Sequence, residues 1–107
     1  MKRTHLPITL AAVRVGPAAL LFHPAELYTY YGLAIQRGSP FASTLVVGYA
    51  DGYVGYLTDP RAYQRSEYAA VKVPTILNYP QFAPDAAQVM TDAAVELLKK
   101  IHANKRP

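Results

Sequence analysis

The chain contains no cysteine. Disulfides, thiolate nucleophiles and cysteine-based zinc sites are therefore excluded together, while the redox compartment stays open. Tryptophan is also missing, and charged residues make up 17% of the chain against 51% hydrophobic, the balance of globular material rather than of a disordered tail. No apolar run approaches the roughly 20 residues that a membrane-spanning helix needs. The opening Met1-Lys2-Arg3 is basic, but Thr9, Arg14 and Gly16 interrupt the apolar residues behind it, which makes a poor signal peptide. Glycine-rich phosphate loops, Gly-x-Ser-x-Gly elbows and His-Glu-x-x-His helices do not occur. No repeat or linker divides the chain, and its 107 residues predict a single domain with one modest core.

The net charge of +4 disappears once it is located. Lys2, Arg3, Lys99, Lys100, Lys105 and Arg106 sit at the two ends, and between Thr4 and Leu98 five basic residues face all seven acids. The body is mildly acidic, and its tyrosine-rich centre has few basic neighbours. A nucleic-acid surface, which wants basic residues clustered among aromatics, is not expected.

The pattern predicts an α/β fold: a small mixed sheet of about four strands, one helix after Glu26 and a long C-terminal helix. Ile8 to Val15 reads as a strand with a shift in phase, Gly16-Pro17 as a turn, and Ala18 to Phe22 as a second strand in an antiparallel pair. After His23-Pro24-Ala25-Glu26, the residues Leu27, Tyr30, Tyr31, Ala34 and Ile35 keep helical spacing. A helix beginning near Pro24 or Ala25 would put Glu26 in its first turn, where the dipole and unpaired amides favour a carboxylate. Gly38-Ser39-Pro40 ends that helix, with the glycine suited to the C′ position. Asp59 would cap a short helical turn over Arg61 to Arg65, and Tyr68 to Val73 predicts another strand. From Pro84 onward Ala86, Ala87, Met90, Ala93, Ala94, Leu97, Leu98 and Ile101 form one apolar stripe, the mark of an amphipathic packing helix.

Leu45 to Tyr56 organises the rest. Its first half is a β-branched apolar run of the kind that makes a buried strand, and its second half sets tyrosines among Gly48, Gly52 and Gly55. Two readings are open. Asp51-Gly52 suits a type I′ hairpin turn, with Val47 opposite Tyr56 and Tyr49 opposite Val54. Alternatively, bulky phenols beside bare backbone form the edge of a pocket. Of the three histidines only His23 lies near this chemistry, three residues before Glu26, and a lone histidine there is more often a surface or turn residue than a ligand. Glu26 and a tyrosine together could supply two oxygen ligands to a cation such as zinc, but a zinc site normally takes three or four protein ligands, usually with histidine among them.

Three segments, taken in order, resemble the C-terminal part of the catalytic domain of the neutral/alkaline, non-lysosomal ceramidase family. They are Pro24-Ala25-Glu26, then Ser39-Pro40-Phe41 ahead of an apolar strand, then Gly48-Tyr49-Ala50-Asp51-Gly52-Tyr53-Val54-Gly55-Tyr56 with Tyr63 and Tyr68 behind it. The family commonly shows Pro-Gly-Glu at the first place and Asn-x-Tyr-x-x-Tyr at the last; here Ala25 and Asp51 replace the glycine and asparagine. The resemblance implies a zinc-dependent hydrolase of the N-acyl amide bond of ceramide or a related lipid amide. It also implies that Glu26 and Tyr56 are zinc ligands, with Tyr56 beside the reacting carbonyl as a catalytic group. Two histidine ligands would come from segments that this chain does not contain. Residues 1–107 are then expected to be a C-terminal fragment of a larger ceramidase-like domain, inactive alone. Complete members are often secreted or periplasmic. The alternative function is a non-catalytic, tyrosine-rich interaction or self-association module.

Overall fold

The computed structural model describes residues 8–50, 56–57 and 85–104. The expected Asp51-Gly52 turn, the helical turn near Arg61, the strand over Tyr68 to Val73, and Tyr53, Tyr63 and Tyr68 lie outside the described residues. The fold is α/β, with a three-stranded mixed sheet, a separate two-stranded ladder and two helices among the described residues.

Strands β1 (Ala11–Val15) and β2 (Ala18–Phe22) form the antiparallel hairpin that the pattern predicts, although β1 starts three residues later than Ile8. Val15 pairs with Ala18, so the loop is only Gly16-Pro17; Gly16 takes φ +58° and Pro17 holds φ negative, the sequence demanded by a two-residue primed turn. The chain next forms β3 (Glu26–Leu27) and helix α1 (Thr29–Gly38), then returns as β4 (Ser43–Val47) parallel to β2. The order β1-β2-β4 leaves β2 in the centre. A second ladder joins β3 in parallel to β5 (Tyr56–Leu57), and helix α2 (Ala86–Ala103) closes the described chain.

Both helices cover the same face of the sheet. Ala19, Leu21, Ile35, Phe41, Ala94 and Leu98 make a buried cluster, joined by Ala12, Val46, Leu97 and Ile101. A second cluster, Ala25, Tyr31, Leu57, Ala87 and Met90, fixes the β3–β5 ladder to the first half of α2. On α2 the predicted stripe holds except that Ala93 is exposed and Thr91 is buried. Arg14 reaches from β1 over the Phe41 ring, 5.5 Å from its centroid, and donates to the carbonyls of His102 and Asn104 at the end of α2. Cations are favoured at that end of a helix, where carbonyls lack intrahelical donors.

The β4 segment is a strand but not a buried one. Thr44 and Val46 turn toward the helices, whereas Leu45 is 60% exposed on the opposite face, in register with Leu20 and Val13. Nor does α1 start at Pro24. Its first residue is Thr29 and no acid lies in its first turn, because Glu26 and Leu27 commit their backbone to β5, and the Tyr28 amide donates to the Leu57 carbonyl at 3.2 Å. Helix-start electrostatics therefore do not explain Glu26.

Gly38 also differs in role from the expectation. It is the last helical residue rather than a left-handed C′ cap, and the Ser39 amide makes the closing bond to Ile35. What requires glycine is the contact with α2: a Cβ at position 38 would stand 2.8 Å from a methyl of Val95. Gly38→Ala is expected to lower stability by roughly 1–2 kcal/mol through overpacking. Adding Val95→Ala should recover part of that loss, read as non-additivity in a denaturant double-mutant cycle.

Candidate functional site

Strand periodicity decides what the β3–β5 ladder presents. Glu26 pairs with Tyr56 and Leu27 with Leu57, and partners in a parallel ladder point to the same side. Leu57 is buried and Leu27 packs against both apolar clusters. The alternate positions, Glu26 and Tyr56, are therefore sent together to the other face, where both line a cleft of about 460 Å³. The Tyr56 ring is steadied by Tyr28, edge to face at 6.3 Å between centroids.

The hairpin reading placed Tyr56 opposite Val47, and the structure corrects this. Val47 pairs with Phe22 in the main sheet, whereas Tyr56 pairs with Glu26 in the separate ladder. The pocket-edge reading describes Gly48, Tyr49 and Tyr56, all of which line the cleft. At the end of β4 the chain wraps around residues 23–25. The His23 amide donates to the Val47 carbonyl at 3.0 Å, and the Ala50 amide to the His23 carbonyl at 2.9 Å. Gly48 lies so close to this loop that a Cβ would come within 2.9 Å of the Ala25 carbonyl oxygen and 3.3 Å of the His23 ring. Tyr49 adopts φ +58°, uncommon for a residue with a side chain and concentrated at functional sites. A hydrogen bond to Glu26 is the main reason its phenol is held above the usual value, since ionising it would lose that bond and bring two negative charges together.

His23 is the residue that sequence reasoning undervalued. It is not on the surface: it is 3% exposed, lines the cleft, and accepts the Ala25 amide on Nδ1 at 3.2 Å. Only its closeness to Glu26 signalled this, because the burial comes from the returning Val47–Ala50 segment. The other two histidines take no part in the cleft. His102 stacks edge to face on Phe41, and His5 lies outside the described residues.

Glu26 and Tyr56 offer a carboxylate and a phenol on one wall, the oxygen donors that a zinc ion accepts. Among the described residues no group of three or more histidine, aspartate or glutamate side chains is placed to hold a metal. No helix there is long and apolar enough to cross a membrane. Compared with family models, curated proteins and solved structures, the chain matches none.

Burial lowers the His23 pKa below its ordinary 6.5, so the unfolded chain binds the extra proton. The stability contributed by neutral His23 is complete above that ordinary value and is lost as pH falls below it toward the folded pKa. Chemical denaturation between pH 7.5 and about 5 should show this fall in the wild type and a shallower one in His23→Asn, since one protonation site contributes at most about 1.4 kcal/mol per pH unit.

Proposed function

We propose that this chain carries part of the zinc site of a ceramidase-like hydrolase of N-acyl lipid amides. Glu26 and Tyr56 are the ligands it supplies, and nitrogen ligands from another segment complete the set. The observation that carries this reading is the register of the β3–β5 ladder, which turns a carboxylate and a phenol into one cleft. Nothing in the composition required those two groups to meet.

Each residue has a task in such a site. The Glu26 carboxylate would hold the metal, with the Tyr49 hydroxyl fixing its orientation. The Tyr56 phenol, supported by Tyr28, would be the second oxygen ligand and would stand beside oxygen charge developing on an amide carbonyl. Zinc, when bound, supplies an acidified water and polarises the carbonyl. Leu33 and Val46 give the cleft apolar wall suited to an acyl chain.

Two oxygen ligands without nitrogen partners should bind zinc weakly, with a Kd of roughly a millimolar. Calorimetric titration of the 107-residue chain is expected to show this, with the heat lost in Glu26→Gln and at least about fivefold weaker binding in Tyr56→Phe. Zinc binding unchanged by both substitutions would overturn the assignment. Tight stoichiometric binding abolished by Glu26→Gln would instead show a self-sufficient site.

A second reading, self-association without catalysis, is favoured by one observation. Val13, Val15 and Leu45 are 48%, 59% and 60% exposed on the sheet face away from the helices, and Tyr30 and Tyr49 are also exposed. Sedimentation velocity distinguishes the outcomes. A dimer converted to monomer by Leu45→Lys supports this reading, and a monomer at 100 µM or above, on the order of a weak-dimer Kd, excludes it.

A further inference from the structure

The metal reading leaves His23 without a task, yet the fold holds that ring from two sides. On one side the Ala25 backbone N–H donates to Nδ1 at 3.2 Å, across the turn that Pro24 stiffens. On the other, the Cε1–Nε2 edge lies against Gly48, where an added Cβ would be 3.3 Å from Cε1 and 3.6 Å from Nε2. The ring is 3% exposed and so cannot trade these partners freely with water.

This arrangement fixes the tautomer. The Ala25 N–H can only donate, so Nδ1 must be the bare nitrogen and the proton of the neutral ring sits on Nε2. A metal-bound histidine normally has the opposite arrangement, giving a lone pair to the metal while its second nitrogen donates to a carboxylate or carbonyl. His23 is thus built as a donor rather than as the missing nitrogen ligand. Its Nε2 is not an orphan sealed in the core either, for among the described residues only Thr91 Oγ1 is buried with no hydrogen-bond partner. The ring lines the same cleft as Glu26 and Tyr56.

Charge selects the acceptor that this donor would meet. Among the described residues lining the cleft, Glu26 is the one carboxylate and none is a lysine or arginine. A carboxylate ligand would add a second negative charge beside Glu26, whereas a neutral carbonyl would not. We propose that His23 is the carbonyl-binding residue of the cleft, its Nε2–H donating to the oxygen of a neutral N-acyl amide whose acyl chain lies along Leu33 and Val46. The choice of an amide rests on the hydrolase reading; the donor geometry does not.

The test uses the full, metal-free 107-residue chain, labelled with ¹⁵N, and long-range ¹H–¹⁵N correlation of the imidazole nitrogens. The free chain should show the Nε2–H tautomer. N-hexanoylethanolamine should shift the Nε2 resonance, and hexanoate should not. His23→Asn keeps an oxygen for the Ala25 amide but removes the distal donor, so it should fold with an unchanged circular dichroism spectrum and bind the amide about five- to tenfold more weakly. His23→Gln, which restores an N–H near Nε2, should recover part of that affinity. An Nδ1–H tautomer, an unmoved Nε2 on adding the amide, or wild-type affinity in His23→Asn would each overturn the proposal. So would a tautomer switch when zinc is added, which would make His23 a ligand. The two ideas fail separately: an amide response that depends on His23, with zinc binding indifferent to Glu26, would leave the donor standing and remove the metal reading.

Discussion

Burial of the Leu27–Leu57 pair beneath the β3–β5 ladder is the constraint on which the cleft depends. The ladder is only two residues long on each side, too short to persist by its hydrogen bonds alone. Its stability comes from below, where Leu57 packs with Met90 and Ala87 of α2 and with Tyr31 of α1. Because side chains alternate along a strand, anchoring one pair inward forces the neighbouring pair outward. Glu26 and Tyr56 face the cleft as the geometric complement of a hydrophobic contact. A slip of β3 by one residue would bury the Glu26 carboxylate and expose Leu27, so the apolar contact also protects the polar arrangement.

A second constraint acts on the backbone. Residues 23–25 are clasped by the end of β4 through the bonds from His23 to Val47 and from Ala50 to His23. The clasp demands a glycine at 48 and tolerates a left-handed tyrosine at 49. It brings His23, Glu26 and Tyr49 into one neighbourhood although the first two lie before α1 and the third lies after β4. Backbone hydrogen bonding thus sets the donors of the cleft, while packing sets its carboxylate and phenol.

Much of this was legible in the sequence, and the exceptions share a cause. The Gly16-Pro17 turn and the α2 stripe depend on local chemistry, and both are found where residue pattern puts them. The entry to α1 was misplaced because Pro24 and Glu26 are good first-turn residues in isolation, while the competing partner, Tyr56, lies 30 positions away. The same long-range pairing puts Glu26, not Val47, opposite Tyr56. Gly38 looked like a cap because caps are what a single chain segment reveals; the Val95 contact belongs to a different helix. The Glu26–Tyr56 pair was expected only from a motif resemblance, not from periodicity, since two-residue strands carry no periodic signal. For His23 the one local mark was its place three residues before Glu26, and its burial is tertiary.

The two functional readings differ in the surfaces they use, and β4 shows why they need not compete. Val46 points toward the helices and contributes to the cleft wall, while Leu45 and Val47 point the other way, onto the apolar face shared with Val13. A partner covering that outer face would pair sheet against sheet at the usual separation of about 10 Å and leave the β3–β5 opening on the far side of the strand. Covering it would also add a second apolar layer to a sheet that, among the described residues, is packed by helices on one face only. Leu45 on the outer face of β4 and the cleft lined by Glu26 and Tyr56 of the β3–β5 ladder are thus different surfaces, and covering the first leaves the second open.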